Sequence, residues 1–259
     1  MAESRESAVF YDRLSRWGGP VSDADRERIE RTLALIPEGT RTILDVGCGD
    51  GAVTNSLQER GIKITGVDFS RTALQHFSGS KVTGVIDALP FSDKSFELVI
   101  CTEVLEHLPD GIYQAAVAEL QRVASRWIIV STPNDEYLPA GLGVCRRCHT
   151  RYHVNRHVRT FDHEAHQRLF DDFACTETAA ICSWRHDRLM TGIQQRLFNL
   201  YAYREHLVCP CCGHEGGAPR PRSWLSRALL KALWLIRKIG PEPTKPRWLA
   251  SCYLKRGGA

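Results

Sequence analysis

Hydrophobic residues follow two different periods along the first half of the chain. Short apolar runs alternate with segments in which apolar residues recur every three or four positions. The short runs predict buried strands, and the longer spacing predicts amphipathic helices. The predicted strands cover residues 42–46, 63–67, 82–86, 96–101 and 127–131, and the predicted helices cover 22–35, 53–60, 72–77 and 112–123.

This alternation changes after Asn134, where cysteine, histidine, proline and glycine interrupt the pattern. A helix at 163–170 and strands at 173–181 and 248–254 are still predicted. Strands that alternate with helices favour an α/β fold, a doubly wound, Rossmann-like and mostly parallel sheet. We expect six segments: an N-terminal helical cap (1–36), a cofactor-binding core (37–140), a first cysteine pair with a substrate loop (141–160), a core helix and strand (161–184), an insertion with a second cysteine pair (185–247), and a last core strand (248–259).

The composition narrows the class of protein only slightly. The chain of 259 residues is 43% hydrophobic and 25% charged, as in ordinary globular proteins. Its net charge of +4 permits an acidic partner without requiring one. The charged N-terminus lacks the apolar run of a signal peptide, and no segment is apolar enough to span a bilayer. We therefore expect a cytoplasmic protein.

The segment DVGCGDG, which begins at Asp45, carries the clearest chemical signal. A strand that enters a glycine-rich turn before a helix is a general nucleotide-cofactor arrangement. Its glycines allow positive φ angles and a close approach of ligand to backbone. The turn lacks the full GxGxxG phosphate pattern and follows an acidic residue, which favours a ligand with a cationic amino-acid end.

The chain here resembles the class I S-adenosylmethionine-dependent methyltransferases. DVGCGDG matches the first motif of that family, GVDFS the second, and DALPFSDKSFELVICTEVLEHL the third and fourth. The resemblance implies that Asp45 and the turn border the methionine end of the cofactor, that Asp68 accepts the ribose hydroxyls, and that Asp87 accepts from the adenine amino group. The implied cofactor-binding residues are Tyr11, Asp45, Gly47, Cys48, Gly49, Asp68, Phe69, Asp87, Ala88, Leu89 and Cys101.

Candidate catalytic residues follow the fourth predicted strand. His107 is the predicted general base, because the imidazole titrates near neutrality, and Glu103 and His157 are expected beside it. The alternative is that EVLEHL is a packing motif. Glu103, Glu106 and His107 also resemble the signature of metal-dependent RNA 3′-terminal 2′-O-methyltransferases, although the second histidine expected after Arg156-His157 is missing.

Two cysteine pairs predict a metal site. Cys145 and Cys148 form one CxxC pair, and Cys209 and Cys212 form another, with Cys211 as an ambiguous neighbour. Two such turns predict a closed tetrahedral zinc site of the zinc-ribbon kind, which is structural and not catalytic. His149, His153 and His214 are alternative ligands, and a redox pair or unrelated buried thiols are the other interpretations.

A basic amphipathic helix is predicted at residues 223–239, where tryptophan and leucine oppose arginine and lysine. This pattern indicates either peripheral contact with an anionic membrane or packing against a protein surface. We therefore expect an O-methyltransferase that acts on a glycan or other small molecule, which is lipid-linked if the membrane interpretation holds. The alternatives are RNA 2′-O-methylation, with nucleic acid as partner, and a non-catalytic zinc-ribbon binding module.

Overall fold

The computed structural model of the chain describes residues 17–184, 188–198, 201–202, 208–216, 244–257 and six helical positions between 224 and 235. Tyr11 and much of the predicted helix at 223–239 lie outside the described residues. The chain forms two compact units. The sheet unit comprises residues 1–135, 161–182 and 246–259, and the cysteine unit comprises residues 136–160 and 183–245.

A seven-stranded sheet forms the centre of the sheet unit. Its strands are β1 (Thr42–Val46), β2 (Lys63–Asp68), β3 (Ser80–Thr83), β4 (Phe96–Thr102), β5 (Ala124–Pro133), β8 (Phe173–Trp184) and β9 (Lys245–Lys255). They lie in the order β3-β2-β1-β4-β5-β9-β8. Neighbours among β1 to β5 run parallel, and β9 pairs antiparallel with β5. The prediction of an α/β fold with a mostly parallel sheet is confirmed.

Successive residues of the central strands point into two separate apolar cores. Leu44 and Val99 pack in one core, whereas Ile43, Leu98 and Ile100 pack in the other. The pleat of a strand sends neighbouring side chains to opposite faces, so a strand buried on both faces must be apolar at every position. This is why the strands appear in the sequence as continuous apolar runs.

Helices cover the two cores. They are α1 (Asp23–Leu33), α2 (Arg71–Leu74), α3 (Asp110–Val123) and α4 (His163–Gln167), with 3-10 turns at Asn55–Arg60 and Leu105–His107. Ser22 caps α1 by accepting from the Asp25 N–H. Leu120 and Val123 of α3 are buried in the core that contains Leu44.

Several predicted elements are shorter than expected, including the helices predicted at 72–77 and 163–170, which end at Leu74 and Gln167. In place of the helix predicted at 53–60, a 3-10 turn covers Asn55–Arg60, and the side chains of Thr54 and Asn55 bond to Asp45 and to the Asp50 carbonyl at its start. The third strand ends at Thr83 and not at Ile86. The Gly84 N–H still donates to the Asp68 carbonyl of β2, and the chain then turns away from the sheet where Val85 bridges to Ala88.

The cysteine unit contains little regular structure. Strands β6 (Leu142–Val144) and β7 (Arg151–His153) form an antiparallel hairpin, which follows a 3-10 turn at Leu138–Gly141. Helix α5 (Arg188–Phe198) belongs to the same unit. The described helical positions 224, 227, 228, 231, 232 and 235 are all exposed. Within the described part of the chain, no helix is both long enough and apolar enough to cross a membrane.

His166 lies at the centre of a buried polar network in the sheet unit. Its Nε2 is 2.9 Å from the Thr132 hydroxyl, and its Nδ1 is 2.8 Å from the Ser251 hydroxyl. The Tyr253 hydroxyl donates to the His166 carbonyl. Burial lowers the pKa of His166 to about 4, so the imidazole stays neutral in the folded chain.

Acid should therefore destabilise the sheet unit through His166. Below the ordinary pKa of histidine, 6.5, the unfolded chain binds a proton, whereas the folded chain does so only near pH 4. The free energy of unfolding should fall by about 2 kcal/mol between pH 7 and pH 5 from this group alone. Denaturant unfolding of the wild type and of His166→Gln at both pH values measures this loss of unfolding free energy. An equal loss in the two proteins would contradict the assignment.

Candidate cofactor and metal sites

The glycine-rich turn begins where β1 ends, at the carboxyl edge of the parallel sheet. Gly47 and Gly49 have φ angles of +71° and +53°, which residues with side chains rarely adopt. A Cβ atom on Gly47 would collide with the Val104 side chain. The N–H of Gly47 donates to the Val67 carbonyl, 2.8 Å away. The turn is therefore fixed to β2 by its backbone.

Asp45 is a buried carboxyl group immediately before this turn. It is 2% exposed, and its Oδ2 accepts from the Thr54 hydroxyl at 2.7 Å. Burial raises the pKa of Asp45 to about 7, although the Thr54 hydrogen bond opposes the shift and nearby Asp68 adds to it. A cationic ligand group would stabilise the ionised form, which is the electrostatic property that binding of an amino-acid ammonium requires.

Asp68 ends β2 beside the turn. Its Oδ2 accepts from the Gly49 N–H at 2.9 Å, and its Oδ1 accepts from the Ser70 N–H at 2.8 Å. Each carboxylate oxygen has a second lone pair that can accept from a hydroxyl. Phe69 follows at the half-buried start of the next turn, and Cys48 is buried beneath the glycines.

The loop expected to contact adenine lies at the same edge of the sheet. Asp87 is half-buried, Ala88 is exposed and Leu89 is buried. The Leu89 N–H donates to Glu119 of α3, which the sequence does not mark as a site residue. Cys101 at the end of β4 is fully buried in the apolar core, and this burial raises the pKa of its thiol well above the ordinary value.

Glu103 has its carboxylate engaged by two side chains of the sheet unit. Oε1 accepts from the Ser131 hydroxyl at 3.1 Å, and Oε2 accepts from the Trp248 indole at 2.8 Å. The residue has a φ of +56°, a strained backbone that these contacts stabilise. The Glu103 carboxylate is therefore hydrogen-bonded to side chains of both β5 and β9 at this edge of the sheet.

Glu106 is buried, and its Oε1 lies 3.9 Å from Nε2 of His107, whose side chain is 21% exposed.

His157 belongs to the cysteine unit, where Glu136 orients it. Its Nδ1 is hydrogen-bonded to Oε2 of Glu136. The ring stacks on His153 with 4.9 Å between centroids. Nδ1 of His153 faces the N–H groups of Asn155 and His157, so it acts as an acceptor and the neutral ring carries its proton on Nε2.

The four predicted zinc ligands meet in the cysteine unit. The Sγ atoms of Cys145 and Cys212 are 3.6 Å apart, as are those of Cys148 and Cys209, and all four lie within 4.8 Å of one another. A tetrahedron with Zn–S bonds of about 2.3 Å has sulfur atoms about 3.8 Å apart, so the four thiols fit such an ion. Cys211 is exposed and does not belong to this cluster.

The two cysteine pairs have the same backbone geometry. The N–H of His149 donates to the Cys145 carbonyl, and the N–H of Gly213 donates to the Cys209 carbonyl. His149 and Gly213 have φ angles of +59° and +64°. Each pair is thus the same tight turn, with a left-handed residue directly after the second cysteine, and the Arg147 N–H also points at the Cys145 thiol. His149 therefore fills a turn position and is not a member of the sulfur cluster.

Comparison with known sequences identifies the domain around the glycine turn. A family model described as "Methyltransferase domain" matches residues 44–126. A ubiquinone biosynthesis O-methyltransferase of Albidiferax ferrireducens is 29% identical over 150 residues, which cover 51% of this chain and 60% of that protein. The protein of the same name from Nitrosospira multiformis is 36% identical over 158 residues, 53% of this chain and 66% of that protein. The chain spans less than two thirds of the length of either relative.

Solved structures show the same fold. A magnesium protoporphyrin IX methyltransferase from Synechocystis with bound S-adenosylhomocysteine has a TM-score of 0.54 and 16% identity, and the match covers 71% of this chain and 95% of that chain. An S-adenosylmethionine-dependent methyltransferase from Archaeoglobus fulgidus has a TM-score of 0.53 and 16% identity over 93% of this chain and 96% of that chain. These structural similarities establish the fold alone.

Ionisation of Asp45 should control how strongly S-adenosylmethionine binds. With its pKa near 7 in the free chain, the carboxyl group loses its negative charge as the pH falls. The dissociation constant should therefore rise by about tenfold from pH 8 to pH 6 relative to Asp45→Asn, which lacks the titrating group. Calorimetry on both proteins measures the difference. The same pH dependence in Asp45→Asn would rule out this role.

Proposed function

We propose that this chain, which carries a class I S-adenosylmethionine-dependent methyltransferase domain, transfers the methyl group to a hydroxyl oxygen of a small molecule. The observation that carries the proposal is the set of groups at the carboxyl edge of β1 and β2. A positive-φ glycine turn lies there between two buried carboxylates, Asp45 and Asp68. Carboxylates at such strand ends bind ligands in the crevice of open α/β sheets.

Each part of this edge fits one part of the cofactor. Asp45 offers a desolvated carboxylate to the ammonium, and Asp68 offers carboxylate oxygens as acceptors to the ribose hydroxyls. Asp87 offers an acceptor to the adenine amino group. The cofactor supplies an electrophilic methyl carbon on a sulfonium. The chain contributes orientation, since a positioned nucleophile reacts far faster than a free one.

The proton of the acceptor hydroxyl needs a base. In the proposed reaction an O–CH₃ bond forms, the S–CH₃ bond breaks, and the hydroxyl proton passes to Nε2 of a histidine and then to solvent. We assign this step to His107, which follows the carboxyl end of β4 in the 3-10 turn Leu105–His107. We assign to His157, which Glu136 orients, a hydrogen bond to the acceptor.

The proposed acceptor is a sugar or another small hydroxyl compound. The two relatives described above are named as O-methyltransferases of ubiquinone biosynthesis, which supports an oxygen nucleophile. Trp224 and Leu235 are 69% and 48% exposed. Exposed apolar side chains beside Arg227 and Lys231 are consistent with a lipid-linked acceptor, and peripheral contact of this segment with a membrane remains a prediction.

The proposed zinc ion would stabilise the folded cysteine unit. Four thiolates at tetrahedral separation leave no open position, so the ion would be structural and take no part in the methyl transfer. The two turns come from segments more than 60 residues apart, Cys145–Cys148 and Cys209–Cys212. A single ion would therefore join two long loops, which is how metal binding supplies folding free energy to small units.

A kinetic test separates the proposed roles of the histidines. The full chain is incubated with S-adenosylmethionine and a panel of catechols and monosaccharides. His107→Asn should lower kcat by about 100-fold or more and remove the rise of rate with pH. His157→Asn should mainly raise the KM for the acceptor, and His163→Asn, an exposed histidine on α4, should change neither constant.

Other results would overturn the proposal. Methylation of RNA alone, dependent on added Mn²⁺ or Mg²⁺, would identify the chain as the RNA 2′-O-methyltransferase. Failure of the wild type to bind S-adenosylmethionine would remove the enzyme assignment and leave a binding module. Equal rates in His107→Asn and wild type would show that a group other than His107 acts as the general base.

Metal analysis tests the zinc assignment. The purified chain should contain about one zinc per chain, and Cys145→Ser or Cys212→Ser should lose it. Cys211→Ser is the matched control because its thiol lies outside the cluster in the same turn, and it should keep the ion. A chain without metal, or metal loss in Cys211→Ser, would refute the assignment.

A further inference from the structure

A bidentate ion pair on α3 lies behind the loop that follows β3. Arg122 Nε donates to Glu119 Oε1 at 2.6 Å, and Arg122 Nη2 donates to Glu119 Oε2 at 2.8 Å. The two side chains are three residues apart on one helix face and are 30% and 18% exposed. The hydrogen bonds from Arg122 lower the pKa of the Glu119 carboxyl, so it is ionised near neutrality. The pair is more ordered than an ordinary surface salt bridge.

This pair binds both backbone polar groups of Leu89. The Leu89 N–H donates to Glu119 Oε2 at 2.7 Å, and the Leu89 carbonyl accepts from Arg122 Nη2 at 3.0 Å. Arg122 Nη1 also donates to the Phe91 carbonyl at 2.7 Å. The Arg122 carbonyl in turn accepts from the Lys94 N–H at 2.8 Å. Four contacts from two adjacent turns of α3 therefore fix the path of residues 89–94.

The loop is also anchored by the Leu89 side chain, which is buried in the apolar core. Before Leu89, the chain is held by the bridge between Val85 and Ala88, and Ala88 itself is exposed. Asp87 lies two residues before Leu89, so the position of its carboxylate depends on where the Leu89 backbone is held. A displacement of about 1 Å is enough to lose a directed hydrogen bond to a ligand.

We propose that Glu119 and Arg122 are positioning residues that set adenine specificity, by holding the Asp87–Leu89 loop at the distance from which Asp87 accepts the adenine amino group. This inference rests on the proposed function, because it assumes that the ligand is an S-adenosyl compound. Neither residue touches the ligand. Their effect reaches it through the backbone of Leu89.

The chemistry of the pair explains why conservative changes should disrupt it. Glu119→Gln places an amide N–H₂ where an oxygen accepts, facing either the Leu89 N–H or the Arg122 guanidinium. Arg122→Lys keeps the charge but loses the planar fork, so one ammonium cannot bind Glu119, Leu89 and Phe91 together. Asp93 supplies a matched control, because its carboxylate accepts from Arg122 at 2.8 Å but is 74% exposed.

The test compares two ligands that differ at one position of the base. S-adenosylhomocysteine carries the 6-amino group, and S-inosylhomocysteine carries an oxygen there. Calorimetry on the full-length wild type should show a clear preference for the adenine ligand. Glu119→Gln and Arg122→Lys should each lower affinity for S-adenosylhomocysteine by about tenfold and for the inosine analogue by less than about threefold, because lost positioning affects the amino-group contact. Asp93→Asn should bind both ligands within about twofold of wild type.

The preference ratio distinguishes positioning from general stability. If the variants lose affinity for both ligands equally, the pair merely stabilises the fold and the inference is overturned, while the proposed function stands. If the wild type binds neither ligand, the proposed function itself fails. Because two independent variants are measured, a folding defect in Arg122→Lys leaves Glu119→Gln to decide the question.

Discussion

The carboxylate of Asp68 holds together the part of the molecule on which the candidate site depends. It accepts the Gly49 N–H from the turn after β1 and the Ser70 N–H from the start of α2. Since β1 and β2 are parallel and in register, with Val46 opposite Val67, these two bonds join neighbouring strand ends at one edge. These bonds fix the conformation of the glycine turn, and the Asp45 carboxyl next to it is buried.

Burial at this edge has opposite effects on stability and on binding. A carboxyl group such as Asp45 is costly to desolvate, and its raised pKa measures that cost. The two apolar cores on either face of the sheet offset it, because β1, β4 and β5 are buried on both faces. The same desolvation strengthens the attraction of Asp45 for a cationic ligand. Burial of the apolar strands thus offsets the free-energy cost of a poorly solvated carboxylate at a position where it can bind a cationic ligand.

The sequence predicted those features whose cause is local. Strand periodicity, the glycine turn and the CxxC spacing each depend on a few consecutive residues, and the parallel sheet followed from them. The pair Glu119 and Arg122 resembles any helix-surface salt bridge in sequence, and its partner Leu89 lies 30 residues earlier. Likewise, Glu103 bonds to Trp248 across 145 residues. The strand predicted at 82–86 ends at Thr83, because the Val85–Ala88 bridge turns the chain within the apolar run.

The two units obtain their order from different interactions. The sheet unit has continuous cores, whereas the described part of the cysteine unit contains a hairpin of two three-residue strands, helix α5 and six exposed helical positions between 224 and 235. A short isolated hairpin is marginally stable in water, so packing alone leaves this unit weak. Its strongest geometric feature is instead the repeated cysteine turn, with a left-handed residue at His149 and at Gly213. Two identical turns bring four thiols to one point, so the metal ion proposed above would link these distant segments of the unit.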